Sequence, residues 1–185
     1  MLRIGTRGSP LALAQAERAI ALDASAARAH RLQGEALAML GEAGVEEAFE
    51  RARVDPGEAA LAELGLGRHL IAVGRRDEGI AALRRAVAAS PTQPDALFTL
   101  ARALGPTDEA RGQLETALRA RPDFAAAALA LGETRQELGD ARGAESAYRL
   151  AIDLDPRLVD ARIGLATLAL RAGRLGEARD AVAGE

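Results

Sequence analysis

Few residues in this 185-residue chain are equipped for bond-making chemistry. The two histidines, His30 and His69, lie far apart in sequence, without a cysteine or a His-x-x-x-His spacing to complete a zinc set. A plain helical role is expected for each. Gly65-Leu66-Gly67 resembles the start of a nucleotide-binding loop, but no strand precedes it, and Gly5-Thr6-Arg7-Gly8 lacks the Lys-Ser/Thr end of a phosphate loop. Serine is sparse, and no Ser-His-Asp set follows from the spacing. No catalytic residue, metal or cofactor is therefore expected. Guanidinium is plentiful, because lysine is absent and all 24 basic side chains are arginines. A planar fork that grips carboxylates through two parallel bonds is a tool for recognition.

The elements that carry these arginines read as helices. Ala and Leu dominate the 49% hydrophobic share and aromatics make up 2%, so helices are favoured, strands are poorly supported, and the core must be built from small side chains. Such a composition, with no Lys or Asn, is that of a GC-rich bacterial coding sequence. Pro122 and Pro156 stand 34 residues apart. Between them, Leu131-Gly132, Gly139, Ala144, Tyr148, Ala151 and Asp155-Pro156 occupy the offsets at which a tetratricopeptide hairpin places its packing and turn residues. The chain is identified on these residues as resembling the tetratricopeptide repeat family. Ala128 and Arg135 depart from its aromatic preference.

The same register recurs from Ala60 with Leu66-Gly67, Gly74, Gly79, Leu83 and Ser90-Pro91, where Gly79 in place of alanine is expected to weaken its helix. Pro91 to Pro122 is shorter, and the shortfall falls where Leu104 meets Gly105-Pro106, so a shortened first helix is expected there. The resemblance implies an all-α, right-handed alpha-alpha superhelix (a TPR solenoid) of about five helical hairpins plus an N-terminal helix. Residues 1–9 are expected to be irregular and 10–185 to form the array: a half unit at 10–26, units at 27–59, 60–93, 94–124 and 125–158, and a truncated unit at 159–185. In the 27–59 unit the second helix, around Val45 to Arg53, is short for the pattern. Ser9 and Pro10 supply the start of the leading helix.

In this family the first helices line the concave face. Their fifth positions are Arg31, Leu64, Phe98, Leu129 and Ile163, an apolar rail. Their ninth positions are Glu35, Arg68, Arg102, Glu133 and Thr167, a mixed rail. Arg68 and Arg102 beside Phe98 are expected to clamp a carboxylate while the apolar rail takes a leucine-type anchor, so the partner expected is a protein or peptide, extended or helical. The alternative is that the apolar rail completes packing and the arginines are solvated. The chaperone-tail clamp of some family members relies on lysines and asparagines, which this chain lacks. A second class of function is self-association as a weak homodimer through the last helix, where Leu175, Ala178 and Val182 lack a covering helix.

A net charge of −3 with interleaved signs offers no footprint for nucleic acid or an anionic membrane, and no apolar run reaches membrane-span length. The apolar patch Leu11 to Ala14 is too short for an export leader, so a cytoplasmic location is expected, with the periplasm as the alternative. Leu2-Arg3-Ile4-Gly5-Thr6-Arg7-Gly8-Ser9-Pro10-Leu11-Ala12-Leu13-Ala14-Gln15-Ala16 resembles the amino terminus of porphobilinogen deaminase. In that family Arg7 and Ser9 match loop positions that help hold the acidic side chains of a dipyrromethane cofactor. That cofactor is attached through a cysteine, and this chain has none. The segment is expected to serve as a cap, whether grafted, fused or read from a misassigned start, and the chain to be non-catalytic.

Overall fold

The computed structural model describes residues 10–22 and 27–183. Among these, every regular element is an α-helix: α1 (Pro10–Leu22), α2 (Ala27–Leu40), α3 (Val45–Ala52), α4 (Pro56–Ala72), α5 (Arg76–Ala89), α6 (Pro94–Leu104), α7 (Asp108–Ala120), α8 (Ala125–Glu137), α9 (Ala141–Leu154), α10 (Val159–Arg171) and α11 (Leu175–Ala183). They fall into two compact units, Met1–Pro91 and Thr92–Glu185. The first holds α1 and the hairpins α2/α3 and α4/α5, and the second holds the hairpins α6/α7, α8/α9 and α10/α11. The all-α class and the five hairpins after a leading helix are those expected from the sequence.

Helix starts follow from local chemistry. Thr107 caps α7 by accepting from the Ala110 N–H at 3.1 Å, and the Asp140 carboxylate caps α9 through the Gly143 N–H at 2.9 Å. Gly139, at φ 82°, turns the chain between α8 and α9 in a conformation that costs other residues more. α6 is short, 11 residues, and ends on Gly105 at φ 74°, as the missing residues before Gly105-Pro106 imply. α3 has only 8 residues. α4 begins at Pro56, ahead of the repeat position at Ala60, because Asp55 accepts from the Gly57 N–H at 2.7 Å and Pro56 is preset for a first helical turn. At Asp155-Pro156 the aspartate makes the matching bond to the Arg157 N–H at 3.0 Å, yet the helix waits until Val159.

Each unit includes a large side chain that enters a slot walled by glycine. In the first unit Phe49 of α3, 1% exposed, lies against Gly34 of α2 and Gly65 of α4, where an added Cβ would stand 3.0 Å and 2.5 Å from its ring. Leu37, Val45, Leu66 and Leu70 complete that core, and Leu13 of α1 packs against it. In the second unit Tyr148 of α9, 2% exposed, lies against Gly132 of α8 and Gly164 of α10, with corresponding distances of 2.6 Å and 2.4 Å. Burying such a ring contributes about 1.5–3 kcal/mol, several times a buried methyl, so these slots matter in an alanine-rich core. Gly79 has the same purpose: a Cβ there would stand 2.7 Å from Ile71 and 2.9 Å from the Gly67 carbonyl oxygen. Its helix-weakening cost is offset by the close approach of α4 and α5.

Candidate functional site

The ten residues assigned to the partner-facing rails divide by unit. In the first, Arg31 is 8% exposed and held within the protein: its Nε donates to Glu58 Oε2 at 2.6 Å and its Nη1 to Glu35 Oε1 at 2.5 Å. Burial acts to lower its pKa, and the bonds and charges of Glu58 and Glu35 more than reverse this, leaving it raised. Because Glu58 belongs to α4, this network ties α2 to the next hairpin. Leu64 is buried at 5% exposure, Glu35 is half-buried beside Arg31, and Arg68 is exposed. Most of the rail expected here is thus occupied by packing.

In the second unit the rail is more open. Phe98 and Leu129 are half-buried, and Ile163 is 53% exposed. Arg102 donates through Nη1 to Glu133 Oε2 at 2.9 Å, joining the ninth positions of successive hairpins across solvent-exposed side chains. The arginine expected to clamp a partner carboxylate therefore already holds an internal one. Thr167 returns its hydroxyl to the Ile163 carbonyl oxygen at 2.7 Å. Phe98 packs on Phe124 with centroids 5.0 Å apart and a 50° tilt, while the Arg121 guanidinium lies 4.3 Å from the Phe124 centroid and reaches Asp95 at 2.9 Å. Sequence reasoning missed Phe124, Arg121 and Asp95, which lie outside the fifth and ninth positions. The clue was Phe124 just before a helix start.

Between α6, α7 and α8 the second unit contains a cavity of about 120 Å³, lined by Ala101, Leu114 and Ala130, by the Gly105-Pro106 turn, and by Arg102, Glu133, Thr134 and Glu137. Other polar clusters have structural partners. Glu63, 5% exposed, receives both Nε and Nη2 of Arg85 at 2.7 Å and 2.9 Å, and this bond holds the Arg85 pKa above its ordinary value. Arg75 joins Glu46 of α3 to Glu78 of α5, and Arg174 joins Glu145 of α9 to Glu177 of α11. These staples hold consecutive hairpins together and were legible only as Arg-x-x-Glu at the two turns.

His30 is 6% exposed with a buried, unpartnered Nδ1, and His69 is half-buried. Among the described residues no group of three His, Asp or Glu side chains could hold a metal ion. Gly65 and Gly67, which resembled a phosphate loop, lie in helix-packing contacts within α4. Arg7 and Ser9 lie outside the described residues, and Pro10 to Ala16 form the start of α1. No described helix is long and apolar enough to cross a membrane.

Tetratricopeptide repeat profiles match residues 60–103, 96–156 and 129–184. This chain belongs to the tetratricopeptide repeat family. A curated relative, the cellulose synthase operon protein C of Pseudomonas fluorescens (strain SBW25), is 32% identical over 143 residues, covering 71% of this chain but only 11% of that protein. Among solved structures, Pseudomonas aeruginosa pilF aligns at a TM-score of 0.77 and 19% identity, over 93% of this chain and 78% of that one. The first TPR of Spaghetti (RPAP3), solved bound to the HSP90 peptide SRMEEVD, aligns at a TM-score of 0.59 and 21% identity, over 62% and 93%. These matches establish a helical-hairpin scaffold fold. They support the repeat family and not the resemblance of residues 2–16 to porphobilinogen deaminase.

Proposed function

We propose that the protein is a non-catalytic interaction module that holds a partner peptide or helix along the first helices of its hairpins. The observation that carries this reading is the row in the second unit where half-buried Phe98 and Leu129 and exposed Ile163 accompany the exposed Arg102–Glu133 pair. An exposed ion pair contributes about 0–1 kcal/mol, so a partner's charges can replace either member at little cost. Apolar contact supplies affinity and charge supplies register. The peptide carried by the Spaghetti domain supports peptide binding as a use of this fold. Its chaperone sequence is not proposed as the ligand here, since this chain has neither lysine nor asparagine.

The test is an array of peptides of acidic, neutral and basic character probed with the wild type, with Ile163→Glu, and with Arg102→Ala. Ile163→Glu should abolish binding without unfolding the chain. Unchanged affinity of the Arg102→Ala variant for acidic peptides would remove that arginine as a contact.

A second reading is self-association through α11, on which Leu175 is 71% and Val182 63% exposed. Light scattering across a dilution series distinguishes the two. A mass that stays monomeric at high concentration removes the dimer.

A further inference from the structure

Successive hairpins repeat one packing plan, and the α6/α7 hairpin leaves a cavity beside it. Ala101 holds the repeat position of Gly34, Gly67 and Gly132, Ala130 that of Gly65 and Gly164, and Leu114 stands where the other hairpins place Phe49, Leu83 and Tyr148. Leu114 is 1% exposed, yet the cavity of about 120 Å³ remains beside it, and the early end of α6 at Leu104 leaves the Gly105-Pro106 turn as one wall. The space is too small for a whole metabolite, whose sites run to roughly 300–1,000 Å³. It is comparable with apolar cavities of about 150 Å³ that hold one small hydrocarbon.

The rim tells what should accompany that hydrocarbon. Glu133 and Glu137 stand one turn apart on α8, a like-charge spacing that destabilises a helix surface, and Arg102 is the only cation lining the cavity. Arg102 holds Glu133, while Glu137 remains exposed at the cavity mouth. A partner cation placed between the two carboxylates relieves their repulsion and releases Arg102 for a partner carboxylate.

We infer that this cavity receives one branched aliphatic side chain of the partner, with a basic residue beside it seated between Glu133 and Glu137. The inference rests on the interaction reading above and specifies its anchor.

The experiment uses blocked dodecapeptides, each carrying one leucine and, four residues away, Arg, Gln or Glu. The Leu/Arg peptides should bind best, and replacing their leucine by alanine should weaken binding tenfold or more. Leu114→Phe fills the cavity from its floor and Thr134→Met from its wall. Either variant, with an unchanged or raised melting temperature, should lose the same tenfold. Glu137→Gln should abolish the preference for Arg over Glu peptides while keeping the dependence on leucine. Folded, filled variants that bind as tightly as the wild type, or a preference for the Glu peptides, overturn the inference and leave the interaction reading standing. If no peptide of any charge class binds, both fall.

Discussion

The two units build on one repeat plan and spend their charges differently. At the fifth and ninth positions of the first unit, Arg31 and Glu35 are drawn into a network with Glu58, and Leu64 is buried. At the same positions of the second unit, Arg102 and Glu133 meet across open surface, and Ile163 faces solvent. A repeat position therefore carries no fixed role. Whether its side chain becomes mortar or contact surface depends on what the next hairpin brings to it, here Glu58 on the extended start of α4.

That contrast makes demands on stability that can be measured. The largest effect should come from the aromatic slots, which the units share: Phe49→Ala should cost about 3–5 kcal/mol in urea unfolding. Gly65→Ala and Gly164→Ala should each cost about 1–3 kcal/mol, because a ring with an added Cβ at 2.5 Å or 2.4 Å cannot retreat without disturbing its own helix.

Next come the arginines themselves. Arg31→Ala removes a counter-charge from Glu58 and Glu35 in a partly dry site and should cost about 1–3 kcal/mol, below the figure for fully buried pairs. Arg102→Ala should cost less than about 1 kcal/mol. Equal losses in the same unfolding assay would show that the two pairs are not in different environments after all.

Smaller effects lie in the pH dependence. Tyr148 is the chain's only tyrosine, so its ionisation can be followed alone by absorbance. Burial, helped by the charges of Glu133 and Glu137 and opposed by Arg171, pushes its pKa up to about 12. The unfolded chain loses this proton near pH 10 and the folded chain later, so stability should fall as pH rises from about 10 to 12. Tyr148→Phe should remove that fall while losing only the bond from its hydroxyl to Gln136 Oε1 at 3.2 Å. At the acid end, the Arg174 hydrogen bond holds the Glu145 carboxyl below the usual carboxylate range. Its contribution is complete above its unfolded pKa and is lost as pH falls through the lowered folded value. Glu145→Gln should flatten that part of the acid unfolding curve.

Much of the frame was legible in advance. The 34-residue spacing of Pro122 and Pro156, the glycine turns and the small residues at fixed offsets located the hairpins, and even the defect at Leu104 appeared as a short α6. The start of α4 ahead of Ala60 was not legible, because Asp-Pro closes one repeat at 155–156 and opens a helix at 55–56 with the same local hydrogen bond. The fifth and ninth positions followed from the repeat register, but their exposure was not readable from it. Arg31 and Arg102 have the same side chain, and the carboxylates that stacking brings to them, Glu58 and Glu133, are not marked by the local sequence. The Phe98–Phe124–Arg121–Asp95 cluster escaped for the same reason, since it joins residues of α6 to the α7–α8 turn.

Period, helix propensity and turn chemistry act over a few residues at a time, and they suffice to settle that this chain makes helical hairpins of one repeat family. Which arginines are spent inside, which slot is left underfilled and where a partner can find an apolar floor depend on side chains some 20 to 30 positions apart, such as Arg31 with Glu58 and Arg102 with Glu133. Those pairings arise only when hairpins stack, because each borrows from its neighbour the wall and the counter-charge that it cannot supply itself.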